Sequence, residues 1–151
     1  MKPWIVILSI GLTLMGCEQT TSEPPPNISD STGSEKRWYT QAQVDAGKPL
    51  YLENCAVCHQ LDASGSKNWR TRLADNSLPP PPLNGTAHTW HHPLKVLRYQ
   101  IKSGGQAVGG TMPPFGEKLN SQQIDAVIAW VQSNWSDEIY LRWVEIDARQ
   151  K

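Results

Sequence analysis

Apolar residues of this chain recur at helical spacing, and the first segment of this kind leads toward Cys55. Thr40 and Gln43 have the spacing of a capping box, so we expect the helix to begin after Thr40. Pro49 lies inside this segment, where a proline removes one N–H donor and clashes with the preceding turn. We therefore expect either a kink at Pro49 or a helix that begins late.

Three more helical segments follow in the second half of the chain. Their apolar faces comprise Leu94, Leu97 and Ile101, then Ile124, Val127, Ile128 and Val131, and finally Ile139, Trp143 and Ile146. We expect these helices to run from Pro93 to the Gly104-Gly105 stop, from Asn120 or Ser121 to about Asn134, and from Asp137 to about Ala148. No run of alternating residues is long enough to predict a strand, so the predicted fold class is all-α.

Residues 1–16 have the organisation of a signal peptide for export. Lys2 precedes an apolar run from Trp4 to Leu14, which is too short to span a bilayer. The run ends in Leu-Met-Gly-Cys at Cys17, which resembles the bacterial lipoprotein signal, in which the cysteine is lipidated and begins the mature chain. Lipidation also accounts for the odd number of cysteines, since the other two belong to one Cys-x-x-Cys motif. The alternative is a plain signal peptide followed by a chance cysteine.

The remainder divides into a tether at 17–38 and one domain at 39–151. The tether is rich in Ser, Thr, Pro and Glu and cannot bury enough apolar surface to order itself, so we expect it to be disordered. The formal net charge of the chain is zero, which gives no indication of nucleic-acid binding. Between Lys67 and Lys118, however, the sequence contains seven Lys or Arg and only two Asp or Glu. These are either solvated charges or a positive rim for an acidic partner.

Cys55, Cys58 and His59 are spaced Cys-x-x-Cys-His, the attachment signal of c-type haem. Near a helix end, residues three apart share a face, so the two thiols can reach two vinyl groups of one porphyrin. The histidine is then placed to bind the iron as an axial ligand. The same two cysteines also occur in redox dithiols and zinc sites, which are the alternatives. Export supports haem, because bacteria attach c-type haem outside the cytoplasm.

Two loops are candidates for completing a haem site. The segment from Leu61 to Trp90 has no sustained periodicity, and its prolines at 79–82 leave carbonyls free to accept the outer ring N–H of His59. Met112 is the one methionine of the predicted domain and lies in a loop bounded by glycine and proline. A thioether opposite histidine keeps iron six-coordinate and raises its reduction potential, so Met112 is the predicted sixth ligand. The alternative is that Met112 fills the core.

His88, His91 and His92 form a cluster beside Trp90 that allows three interpretations. The first is a loop that packs beside the haem or donates hydrogen bonds to its propionates. The second is a copper site or another metal site, since such metals bind closely spaced histidines. The third makes one of these histidines the sixth haem ligand in place of Met112.

Residues 40–135 resemble a class I c-type cytochrome. Gly47 and Tyr51 stand where that family has a glycine and an aromatic residue before the haem cysteines, and Val127 and Trp130 match the helix that crosses there. Two loop motifs also match, the family's Pro-x-Leu-x-Gly at 81–85 and its Met-Pro ligand loop at 112–113.

The resemblance implies crossed N- and C-terminal helices around one covalent haem c, with Pro82 and Leu83 in the haem crevice. It also implies that a proline carbonyl of the 81–85 loop holds the axial histidine. The segment from Ser66 to Leu78 looks like an insertion relative to the family, and the helix after Ser136 looks like an addition. Both are expected to reshape the exposed haem edge.

The predicted function is that of a membrane-anchored one-electron carrier, and not an enzyme. By resemblance, its donor is a partner such as a quinol-oxidising complex and its acceptor a terminal oxidase or reductase. The predicted location is the periplasmic face of a bacterial membrane, with the outer membrane slightly favoured because Glu18 follows Cys17. The alternatives are a small haem peroxidase and a copper or zinc module that uses Cys55, Cys58 and the histidine cluster.

Overall fold

The computed structural model describes residues 36–150, so the predicted signal peptide, Cys17 and nearly all of the tether lie outside the described residues. The described chain forms five α-helices, α1 Gln41–Asn54, α2 Ala56–His59, α3 Leu94–Ser103, α4 Ser121–Ser133 and α5 Asp137–Ala148. Two 3-10 helices cover His88–His91 and Gln106–Val108. Within 36–150 the only β-type pairing is an isolated parallel bridge between Leu78 and Gly110. The prediction of an all-α fold is confirmed.

Helix α1 begins where its capping residues place it. The Thr40 side chain accepts a hydrogen bond from the backbone of Gln43, and the Gln43 side chain accepts one from the backbone of Thr40. The helix then continues through Pro49 to Asn54, so the expectation of a late start is wrong. Asp45 and Pro49 are both exposed, which lets water solvate the carbonyl that loses its helical partner.

The later helices lie close to their predicted bounds. Pro93 is the residue before α3 and not its first helical residue, while Gly104 ends that helix at a φ of 80°. Asn120 caps α4 with a second capping box that involves Gln123. Ser136 caps α5 through its hydroxyl. Local capping chemistry therefore fixed these ends within one residue.

Helices α1 and α4 cross in direct backbone contact. A Cβ atom at Gly47 would lie 1.9 Å from the carbonyl oxygen of Ala126, so only glycine permits this approach. The rings of Tyr51 and Trp130 pack one turn away, with centroids 4.0 Å apart, and Val127 is buried beside them. The crossing implied by the four family positions is present.

Helix α5 is part of the same core and not an appendage. Trp135, Tyr140 and Trp143 are all buried in a cluster that also contains Tyr51 and Trp130. The hydroxyl of Tyr140 accepts a hydrogen bond from the backbone N–H of Trp38, a residue that precedes α1. The predicted apolar face of α5 lacked Tyr140, which is 1% exposed. The added helix thus joins both ends of the described chain.

Candidate haem-binding site

The two cysteines flank the junction of α1 and α2. Cys55 is the C-cap residue of α1, and Cys58 lies in α2. The backbone N–H of Cys58 donates to the carbonyl of Cys55. This single turn places both thiols on one side of the helix. Cys55 is partly buried and Cys58 is exposed, and both are free thiols. Burial, followed by the nearby Cys58, raises the pKa of the Cys55 thiol to about 11.

His59 ends α2 and is buried, with 7% of its surface exposed. Its Nδ1 atom lies 2.9 Å from the carbonyl oxygen of Pro81. Because a carbonyl only accepts, Nδ1 carries the proton and Nε2 keeps its lone pair for a metal. Burial lowers the pKa of His59, while the bond to Pro81 acts in the opposite direction. The neutral ring with a free Nε2 is the form that binds iron.

Pro81 is therefore the proline that holds the histidine, a choice that the run of prolines left open. It is also the first residue of the Pro-x-Leu-x-Gly match at 81–85. Gly65 lies against the same carbonyl group. At its φ of +62° a Cβ atom would come within 2.5 Å of the carbonyl carbon of Pro81. Gly65 was not among the predicted site residues, although a glycine soon after a haem motif is a usable signal of close backbone approach.

Pro82 and Leu83 are placed directly after the residue that holds His59. Pro82 is buried, and its carbonyl accepts a hydrogen bond of 3.0 Å from the Thr89 hydroxyl. The carbonyl of Leu83 accepts a hydrogen bond of 2.7 Å from the indole N–H of Trp135. The side chain of Leu83 packs against the main core cluster. A haem contact by these two residues stays a prediction.

Met112 lies in the loop between α3 and α4, partly buried between exposed neighbours. Its carbonyl accepts a hydrogen bond of 2.9 Å from the backbone N–H of Gly105. A Cβ atom at Gly105 would lie 3.3 Å from the Met112 Cβ atom, so the two ends of the loop segment 105–112 lie close together. The Ser66–Leu78 segment reaches this loop, because the N–H of Leu78 donates to the carbonyl of Gly109 at 3.0 Å. Iron ligation by Met112 stays a prediction.

The histidine cluster lies in and after the 3-10 helix His88–His91. The His88 ring stacks on Trp69 at a centroid distance of 5.1 Å and meets the His92 ring edge-on at 5.5 Å. Burial lowers the pKa of His88 and of His92. Nearby His92, His91 and Arg70 lower the pKa of His88 further, and nearby His91 lowers that of His92. Among residues 36–150, no three His, Cys, Asp or Glu side chains converge to hold a metal ion. The copper or zinc interpretation gains no support from this arrangement.

The donor set fits a covalently bound haem. Two free thiols one turn apart suit two thioether links, and a neutral buried imidazole with an occupied outer nitrogen suits an axial ligand. Bound haem c supplies an iron that takes up and releases one electron.

Comparison with known proteins identifies the family. Residues 42–131 match the family described as cytochrome C oxidase, cbb3-type, subunit III. A similar curated protein is the cbb3-type cytochrome c oxidase subunit FixP of Sinorhizobium medicae (strain WSM419), 29% identical over 99 residues. These residues are 62% of this chain and 30% of that subunit, so the match spans less than a third of the curated relative. No solved structure matches the chain.

No helix within residues 36–150 combines the length and the apolar character needed to cross a membrane. The matched residues contain both cysteines, His59, Met112 and the crossing of α1 and α4. Cytochrome c domains of this kind hold covalent haem c, which confirms the predicted cofactor, and they carry electrons. The chain belongs to the family of cbb3-type cytochrome c oxidase subunit III and is a c-type cytochrome that carries electrons.

Proposed function

We propose that this protein is a lipid-anchored one-electron carrier with a single haem c, linked through Cys55 and Cys58 and ligated by His59 and Met112. The observation that carries this proposal is the 2.9 Å contact between His59 Nδ1 and the Pro81 carbonyl. It fixes the tautomer and the orientation of a buried imidazole, directly after the two thiols. Every buried imidazole needs an acceptor for its N–H. Haem is favoured here because that acceptor is the first proline of the Pro-x-Leu-x-Gly match and because His59 directly follows Cys58.

Met112 is the proposed ligand opposite His59. It is the one methionine in residues 36–150, and its loop backbone is held by Gly105. A thioether in that position leaves no open coordination site, so the iron changes little when it gains or loses an electron. This is why the proposal is an electron carrier and not an enzyme such as a peroxidase.

The proposed partners are respiratory redox proteins. The curated relative is named as a subunit of a cbb3-type cytochrome c oxidase, which supports a terminal oxidase as acceptor. The proposed donor, a quinol-oxidising complex, rests on the resemblance to class I cytochromes c. Lys67, Arg70 and Arg72 are exposed on the Ser66–Leu78 segment, and they offer a positive surface to an acidic partner. Two other cations in residues 67–118 form ion pairs, Arg98 with Asp125 at 2.6 Å and Lys118 with Glu53 at 3.4 Å.

The proposed anchor is a lipid on Cys17, which would begin the mature chain once residues 1–16 are removed. A flexible tether at 17–38 would then let the domain meet partners along the periplasmic face of a membrane. The lipoprotein-like sequence that ends at Cys17 supports this proposal, and Glu18 slightly favours the outer membrane.

Optical spectra of the purified protein test the haem proposal. The expected result is covalent haem that survives acid-acetone extraction, a low-spin spectrum in both redox states, and a methionine–iron charge-transfer band in the oxidised state. A high-spin oxidised spectrum with rapid peroxide turnover would indicate the peroxidase alternative. Zinc or copper without haem would indicate the metal module.

The anchor is tested by expressing the full chain and its Cys17→Ser variant with a radiolabelled fatty acid. The expected result is label and membrane association in the wild-type protein and neither in the variant. Detergent separation of inner and outer membranes then assigns the membrane. Unlabelled wild-type protein recovered in the soluble periplasm would contradict the anchor.

A further inference from the structure

Four consecutive backbone carbonyls run past the haem motif, and each one accepts a hydrogen bond from a different part of the chain. The carbonyls of Pro80, Pro81, Pro82 and Leu83 accept from the backbone N–H of Ser66, His59 Nδ1, the Thr89 hydroxyl and Trp135 Nε1, at 2.9, 2.9, 3.0 and 2.7 Å. We call this stretch, residues 80–83, the carbonyl row.

The carbonyl row has almost no donors of its own. Prolines lack a backbone N–H, so the one donor in the row is the N–H of Leu83, which binds the Ala63 carbonyl at 2.8 Å. The row therefore cannot form a turn, helix or ladder that would hold its shape from within. Its position is set from outside, by the four donors and by the Ala63 carbonyl.

Thr89 and Trp135 bind the two residues that follow Pro81, and both are buried, with exposures of 8% and 3%. A buried carbonyl that loses its donor keeps the full cost of its desolvation, so the row cannot move away from either donor freely. The Trp135 ring also packs on Gly85, where a Cβ atom would lie 3.1 Å from it. The 3-10 helix His88–His91 and the short link between α4 and α5, which carries Trp135, thus hold the row against His59.

We propose that Thr89 and Trp135 are positioning residues for the axial histidine. They hold the Pro81 carbonyl at the His59 ring, and so they set how strongly that carbonyl binds the Nδ1 proton. A stronger bond makes the imidazole more basic and stabilises oxidised iron. The inference rests on the proposed ligation by His59. It goes further because it assigns tuning of the reduction potential to two residues that touch neither the cysteines of the haem linkage nor the imidazole ring of His59.

The test uses the haem-loaded protein and the variants Trp135→Phe and Thr89→Val, which remove one donor each and keep most of the side-chain volume. The readouts are the midpoint potential and the hydrogen exchange rate of the His59 Nδ1 proton, followed by NMR in the reduced protein. We expect a higher potential and exchange faster by about tenfold in each variant, as loss of one hydrogen bond implies.

Trp143→Phe and Thr86→Val are the matched controls. Trp143 is 2% exposed, and its indole N–H donates to the His92 carbonyl at 2.9 Å, outside the carbonyl row. The Thr86 hydroxyl donates to the Asn84 side chain. Both controls should leave the two readouts unchanged. If Trp135→Phe does not fold, benzothienylalanine at 135 keeps the ring shape and replaces only the N–H by sulfur.

A variant of Thr89 or Trp135 that keeps the wild-type potential and exchange rate overturns the role of that residue. Equal shifts in a variant and its control also overturn it, because they indicate general loosening. Failure of the underlying ligation is distinguishable, since the wild-type spectrum would then lack the low-spin histidine signature before any variant is compared.

Discussion

The two sides of the proposed haem site are built in different ways. On the His59 side, a buried ring meets a backbone row whose carbonyls are all held by outside donors. On the Met112 side, the loop at 104–116 is rich in glycine, and Thr111, Pro113 and Pro114 are exposed. Its backbone links include Gly105 to Met112 and Leu78 to Gly109. One proposed ligand is thus fixed by a packed core and the other by a loop.

Such an arrangement has a physical consequence for the two ligands. Local opening of a segment is easiest where few buried contacts and many solvent-exposed hydrogen bonds hold it. We therefore expect the bond to Met112 to open far more readily than the bond to His59.

Removal of either ligand should give the largest effects and should separate the two sides. In His59→Ala we expect severe loss of holoprotein, because the buried Pro81 carbonyl loses its partner and iron loses its fixed ligand. In Met112→Ala we expect a folded holoprotein with a high-spin oxidised spectrum. Its midpoint potential should fall by roughly 100–300 mV, within the ~0.8 V range that axial ligands span. Haem yield and redox titration measure both, and equal holoprotein yields would contradict the comparison.

Alanine at two glycines of positive φ should show the same contrast in stability. Gly65→Ala places a Cβ atom 2.5 Å from the carbonyl row, whereas Gly109→Ala meets its nearest atom, on Arg72, at 3.5 Å. We expect a loss of about 3 kcal/mol in unfolding free energy for the first, from strain and overlap together. The second should lose about 1 kcal/mol, from the backbone conformation alone. Urea unfolding of the two holoproteins measures this, and similar losses would refute the contrast.

Imidazole binding should probe the link between the Ser66–Leu78 segment and the methionine loop. Leu78→Pro removes the N–H that binds the Gly109 carbonyl, whereas Leu78→Ala keeps it. We expect added imidazole to displace Met112, with affinity raised about fivefold in Leu78→Pro, since one exposed hydrogen bond contributes ~1 kcal/mol. Optical titration of the oxidised proteins measures this affinity. Displacement of His59 in its place, or equal affinities in both variants, would contradict the expectation.

Low pH should produce the smallest effect, a loss of unfolding free energy that arises from His88. The pKa of His88 is lowered from 6.5 by burial and by the nearby His92, His91 and Arg70. The unfolded chain therefore binds more protons just below pH 6.5, so the unfolding free energy falls as the pH drops through that value. The loss should stay below about 1 kcal/mol, because the ring is partly exposed and solvent screens the repulsion.

The control for this pH effect is His88→Asn, which removes one titrating ring and should show a shallower decline between pH 7 and pH 5. Residues 104–118 contain no histidine, so the methionine loop contributes none of this titration. Identical declines in wild type and variant, measured by urea unfolding at each pH, would exclude His88 as the source.

Much of the fold followed from local patterns. Thr40, Asn120 and Ser136 act as caps at the predicted ends. The apolar spacings predicted the buried face of α4 and the partly buried face of α3. These features depend on residues three or four apart, which the sequence displays directly. The helix begins after Thr40 as predicted, and the late start offered as one consequence of Pro49 is wrong, because an exposed proline can remain inside a helix whose freed carbonyl is solvated.

The site was predictable only in part. The Cys-x-x-Cys-His spacing indicated Cys55, Cys58 and His59, because covalent attachment demands those side chains at that separation. The roles of Gly65, Thr89 and Trp135 were missed. Each acts on a backbone carbonyl, and carbonyls are alike in all residues, so no side-chain pattern marks the accepting position.

The sequence alone determined the helices, their caps, the haem motif and its family, since each is written in short spacings of side-chain types. Only the tertiary structure decided that Pro81 holds His59 and that Trp135 and Thr89 hold the residues beyond it. Those hydrogen bonds join positions 22, 52 and 7 residues apart. A row of prolines without donors accepts whatever the folded chain presents to it, and only folding brings those donors together.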